Sequence, residues 1–357
     1  MDDVLKRRLA LAIPLLLGVV LVAWWVRPRN KVAGEGYISE RNVTVYNSLA
    51  QVREPLATLH YGDRVEILLR KGEQVKVRSN PGTVGWLEAR FLMEPALWQR
   101  SAQLLAQAHN MPVQARGRTK VSSNVRVDPG RTAPRLYQFG RGVVLDILGR
   151  SVGEVVSSPE EVAAASKDSR TESRKEDWFL VRGVAANGLA AKSEAGKTHE
   201  GVSAAGESDE SVPIAGWIIA RFVELDLPEP VRDSATAAGL RVMAWFELNR
   251  VPDPPGEKSQ FLIAGTHGGE GQPCDFTQIR VFTWGRKRSR YETAFVERNF
   301  CGKVPIRVGK AVGGEPEFRF FEDGAKQERV YQLKQTVVRR VREPGEKTKP
   351  QLRKRSR

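Results

Sequence analysis

The 357-residue sequence predicts a mainly β protein carried behind one membrane-length apolar helix. Three observations predict it. Short segments alternate apolar and polar residues between Gly, Pro or Asn breaks; one such set occurs twice in the same order; and an unbroken apolar run lies near the N-terminus. A chain this long has room for two or three domains.

The apolar run comes first. Leu9 to Val26 reads LALAIPLLLGVVLVAWWV without a charge, between Lys6-Arg7-Arg8 and Arg27, Arg29 and Lys31. As a helix it spans about 27 Å, close to the ~30 Å hydrocarbon core of a bilayer, and Trp24 and Trp25 suit the interfacial belt. Leu21-Val22-Ala23 is a poor small-x-small cleavage site, so residues 1–31 read as an uncleaved transmembrane anchor rather than a signal peptide. Basic residues flank both ends equally, which leaves the positive-inside rule nearly balanced. The short N-terminus and long C-terminal body then favour an extracytoplasmic body.

The formal charge of +15 resembles a nucleic-acid signature until it is divided along the chain. Residues 1–31 and 334–357 hold much of the excess, and residues 32–333 carry 41 Lys and Arg against 38 Asp and Glu. A folded nucleic-acid binder needs a basic stripe on its packed surface, so no specific nucleic-acid partner is expected.

The repeat follows. Asn42-Val43-Thr44-Val45-Tyr46 is matched by Asn124-Val125-Arg126-Val127-Asp128, and Gly62-Asp63-Arg64-Val65-Glu66-Ile67-Leu68 by Gly140 to Leu148. Val75-Lys76-Val77-Arg78 answers Phe179-Leu180-Val181-Arg182, and Gly85-Trp86-Leu87-Glu88-Ala89-Arg90-Phe91-Leu92 answers Gly216-Trp217-Ile218-Ile219-Ala220-Arg221-Phe222-Val223. The two copies occupy residues 36–94 and 117–226. The second carries insertions at 151–176 and 183–213, rich in Ser, Ala, Gly, Glu and Lys, whose composition predicts disordered loops.

These elements, above all the closing GW-x-x-ARF-[LV], resemble the bacterial Src-homology-3 family, SH3b. The resemblance implies two small β-barrels that bind cell-wall peptides or other proteins. It also implies a ligand groove in the second copy built on Trp178 and Trp217, with Tyr137 or Phe139 beside them, because the first copy has Gln74 where the second has Trp178. The competing reading makes Trp86 and Trp217, which share one place in the repeat, core residues.

Between the copies, residues 95–112 form a linker helix with Leu97, Ser101, Leu104, Leu105 and Ala108 on one face and Pro95 in the first turn. His109 near its end is a solvated residue. The region 239–342 reads as an antiparallel β domain, a sandwich or small barrel. Its strands are expected near 240–248, 260–265, 277–284, 291–297, 304–309, 317–321 and 329–338. Trp245, Phe282, Trp284, Phe295 and Phe320 are its expected core aromatics. The composition of the basic tail 343–357 predicts disorder, and if the tail acts, contact with an anionic surface fits an anchored protein best.

No catalytic residue, metal or cofactor is expected. Four histidines, His60, His109, His199 and His267, form no metal-ligand motif. Cys274 with His267 would be the one thiol and base pair, yet Asp275 disfavours a thiolate there. The two cysteines, Cys274 and Cys301, are expected to form a disulfide in the C-terminal domain. The favoured function is a membrane-anchored binding or scaffold protein for a peptidoglycan peptide or envelope protein. The alternatives are a hydrolase accessory or cysteine-dependent enzyme of the cell envelope, and a cytoplasm-facing binder of nucleic acid or anionic polymer.

Overall fold

The computed structural model describes residues 32–80, 82–155, 174–185 and 212–341. The expected anchor at 9–26, the greater part of both insertions and the tail 343–357 lie outside them. Among the described residues no helix is long and apolar enough to cross a membrane. The chain divides into two compact units, residues 1–95 and 96–357.

The first unit is repeat 1, made of β1 (Gly34–Ile38), β2 (Asn42–Tyr46), β3 (Pro55–His60), β4 (Arg64–Lys71), β5 (Gln74–Ser79), β6 (Val84–Glu88) and β7 (Leu92–Met93). They form one antiparallel sheet in the order β3-β2-β6-β5-β4-β1-β7. Alternate residues point inward, so Val43 and Val45, Val65 and Ile67, and Val75 and Val77 join Ile38, Leu59 and Leu87 in a single core. A sheet whose strands all feed one core has to curl around it.

Repeat 2 opens the second unit's β-structure with β8 (Ala115–Thr119), β9 (Ser123–Arg126), β10 (Arg135–Phe139), β11 (Val144–Glu154), β12 (Lys175–Ala185), β13 (Val212–Ile219) and β14 (Val223–Leu225). Its order, β10-β9-β13-β12-β11-β8-β14, reproduces that of repeat 1 strand for strand. Even the bulge is repeated, between Ile67 and Leu69 in β4 and between Ile147 and Gly149 in β11. The expected insertions are shorter than their composition suggested. Residues 151–154, 175–176, 183–185 and 212–213 lie in β11, β12 and β13, where cross-strand pairing extends the ladder past the repeat's own length.

Helix α1 (Pro95–His109) ends three residues before the expected boundary, and a second helix, α2 (Glu229–Ala237), was not expected. The C-terminal domain is a seven-stranded meander in which each strand pairs with its chain neighbours. Its strands are β15 (Arg241–Asp253), β16 (Gly256–Thr266), β17 (Phe276–Gly285), β18 (Arg290–Lys310), β19 (Pro316–Glu322), β20 (Glu328–Lys334) and β21 (Val337–Val341). The two strands expected at 291–297 and 304–309 are one, β18, which pairs with β17 through its first part and with β19 through its second. The strand expected at 329–338 is two, turned at Gln335, whose φ is 56°. Alternation sorts neighbours between cores. Leu262 and Ala264 face the meander's interior with Phe276, Phe318 and Tyr331, whereas Phe261 and Ile263 face outward to Val231 and Ala235 of α2.

Candidate functional site

The groove expected on repeat 2 is not open. Trp178, Phe139 and Tyr137 are 1%, 1% and 5% exposed, so their rings are core rather than a ligand platform. Strand β12 is buried without interruption from Glu176 to Val181, because α1 and the meander cover the face that repeat 2 alone would leave to solvent. Trp217 is half-buried, and α1 lies over it. Leu104, Leu105 and Ala108 of the helix meet Leu148, Leu180, Ala215 and Trp217. Arg182 completes the dock by donating to the Ala108 carbonyl at 3.2 Å and to Asp146 at 2.9 Å, satisfying an end-of-helix acceptor with a cation.

The meander closes the rest. Gln114, 1% exposed, accepts from Ile306 N at 2.7 Å and donates to Ile306 O at 3.1 Å, pairing with that peptide as a strand would. Arg150 is buried and reaches Asp177, Asp275 at 2.9 Å and the Gln272 carbonyl at 2.7 Å. Asp177 also accepts from Arg241 and from Gly271 N. Burial works against its charge, but the hydrogen bonds from Arg150, Arg241 and Gly271 hold its carboxyl below the usual range. Glu176 is held low in the same way, against burial, by Arg131 and Arg221. All these charges are matched, which makes the cluster an internal clamp.

Cys274 and Cys301 are paired, as expected, with their sulfurs 2.14 Å apart. His267 does not face them. Its Nδ1 lies 3.0 Å from Gly239 O and its Nε2 3.1 Å from Gln278 Oε1. Among the described residues no cluster of His, Cys, Asp and Glu has metal-site geometry.

Repeat 1 offers the contrast. The residues of repeat 2 that α1 covers, Leu148, Leu180, Ala215 and Trp217, correspond by register to Leu68, Lys76, Val84 and Trp86. Trp86 and Val84 are half-buried and Leu69 beside them is 52% exposed. Arg78 keeps the cross-strand ion pair, to Glu66 at 2.9 Å. Across the strand from Trp86 lies Tyr46, with Arg53 stacked 3.9 Å above its ring. The loop between β2 and β3 adds Leu49 and Val52, both exposed. In repeat 2 the same loop turns Arg131 inward to Glu176 instead. Sequence reasoning passed over this face because it compared the copies by aromatic count, and Trp178 raised that count in the copy that is covered.

Compared with known proteins, the chain matches no family and no curated protein. Among solved structures it is similar to an NlpC/P60 family protein from Bacillus cereus ATCC 10987, at 12% identity over 61% of this chain and 65% of that one, with a TM-score of 0.20. It is also similar to NlpC2 from Trichomonas vaginalis, at 9% identity over 86% and 97% of the two chains, with a TM-score of 0.17. Both likenesses are too slight to carry an argument about activity.

Proposed function

We propose that the chain is a membrane-tethered, non-catalytic binding protein that presents the outer face of repeat 1 to a partner outside the cytoplasm. One observation carries the reading: the same face of the same fold occurs twice, and in repeat 2 it holds the apolar side of α1. A surface built around Trp86, Tyr46, Val84 and Leu69 is thereby suited to a protein segment with aliphatic side chains, and the SH3-like resemblance points to peptide or protein ligands as well. Lys76 stands where repeat 2 has Leu180, which favours a segment carrying a carboxylate beside its apolar residues. Tethering rests on Leu9 to Val26. The pairing of Cys274 with Cys301 supports a role without a nucleophilic thiol.

A photo-crosslinking residue at position 84 of the full chain, expressed in membranes, tests the proposal. An adduct is expected, and Trp86→Ala should weaken it about tenfold, the ~1.4 kcal/mol of a modest aromatic anchor. Competition by soluble peptidoglycan peptides would make a cell-wall peptide the partner. An adduct indifferent to Trp86→Ala would overturn the assignment.

A further inference from the structure

Helix α2 rests on the outer side of the meander through Val231 and Ala235, which meet Phe261, Ile263 and Phe282. Beyond that contact it stands off the sheet and leaves a cleft of about 620 Å³ between α2 and the β17–β18 hairpin. Its floor is aromatic. Phe282, Trp284 and Tyr291 line it, and Trp284 and Tyr291 meet edge to face with ring centres 5.2 Å apart. Trp284 is thus a cleft wall rather than the core residue expected of it, and its buried Nε1 has no hydrogen-bond partner.

Charges of both signs face this floor. Glu229 and Asp233 line the cleft from α2, and Arg280 and Arg290 from the strands. Arg290 pairs with Glu292. Among the described residues Glu229, Asp233 and Arg280 have no ion pair, although opposite charges face the same space. Arg280 lies over the Phe282 ring at 5.3 Å, its Nε is buried without a partner, and burial together with Arg298 pushes its pKa down. A partly desolvated cation near a second cation and without a carboxylate destabilises the free protein, and an anion delivered to it would relieve that. Glu229 and Asp233 on the facing wall are exposed and can accept from a cation brought into the cleft.

We propose that this cleft binds a small zwitterion, an amino acid or dipeptide with a free ammonium and a free carboxylate. Its carboxylate lies at Arg280, its ammonium at Asp233 and Glu229, and its hydrocarbon on Trp284 and Tyr291. An arginine fork matches a carboxylate in two hydrogen bonds, and an ammonium beside aromatic faces and carboxylates gains from both. The volume falls within the ordinary range of small-molecule sites, about 300–1,000 Å³. A neutral polyol would leave all three charges unmatched, and a simple monoanion would answer Arg280 alone. This assignment is independent of the face on repeat 1.

Calorimetric titration of the full chain with uncapped Ala-Ala is the test, alongside the N-acetylated and C-amidated forms. Binding of the uncapped dipeptide is expected, with each cap, and each of Arg280→Gln and Asp233→Asn, weakening it at least about tenfold. Arg280→Gln should melt no lower than the parent, since it removes an unpaired cation, so lost binding will not be lost folding. Absence of binding by the uncapped dipeptide, equal binding of the capped forms, or unchanged binding by a folded Arg280→Gln chain would each overturn the proposal.

Discussion

At the scale of single residues, the glycine of the Gly-Trp pair shows what the repeated motif is for. A Cβ at Gly85 would come within 3 Å of Val45 and the Tyr46 carbonyl, and one at Gly216 within 3 Å of Val125 and the Arg126 carbonyl. Both glycines let β6 and β13 cross close over a neighbouring strand. Gly85→Ala and Gly216→Ala should each cost about 1–3 kcal/mol in chemical denaturation, through overpacking. Arg150 gives the larger effect. Arg150→Met leaves Asp275 buried without its cation and Asp177 with Arg241 alone, and should cost roughly 3–5 kcal/mol. Because the folded pKa of Asp177 is depressed, its stabilisation is present above the usual carboxylate pKa and is lost as pH falls through the lower folded value. Melting temperature should therefore drop below about pH 4, and drop less steeply in Asp177→Asn. The motif glycines were legible in the sequence because they recur. The partners of Arg150 were not, since Asp275 lies 125 residues away and no local pattern marks it.

At the scale of elements, alternation revealed most strands, and failures came where a break residue sits inside one. Strands were expected at 291–297 and 304–309 with a gap between them, yet β18 runs through Gly302 and Pro305 while it changes partners. Helix α2 has only nine residues and a proline in its first turn, too little for a periodic signal. The segment between β16 and β17 is tied to repeat 2 and to β15. Gly269, Gly271, Gln272 and Asp275 bond Arg241, Asp177 and Arg150, and Glu270 meets Arg221. The Cys274–Cys301 bond fastens that segment to β18. Closing a loop with a sequence separation of 27 stabilises by ~3–4 kcal/mol in the chain-entropy model. Reduction should lower the melting temperature and speed hydrogen exchange at Gly271, whereas equal exchange in both redox states would show that the segment is held without the disulfide.

At the scale of the whole molecule, repeat 1 forms a unit of its own, while repeat 2 and the meander share one. Gln114 and Arg150 are satisfied only when both parts of that larger unit are folded. Calorimetry of the described body should show two transitions, with Arg150→Met moving one of them. A fragment of residues 117–226 should fold poorly, because it exposes the faces that α1 and the meander cover. The sequence made the duplication plain, but one copy looks much like the other until its surroundings are known. That difference has an evolutionary consequence. Drift at the outer face of repeat 2 is policed by folding itself, since a poor substitution there loosens α1. Drift at the outer face of repeat 1 is restrained only by whatever that face meets. A saturation scan should therefore find Trp217 intolerant in any assay that reports abundance, and Trp86 tolerant there but intolerant where the organism depends on the partner.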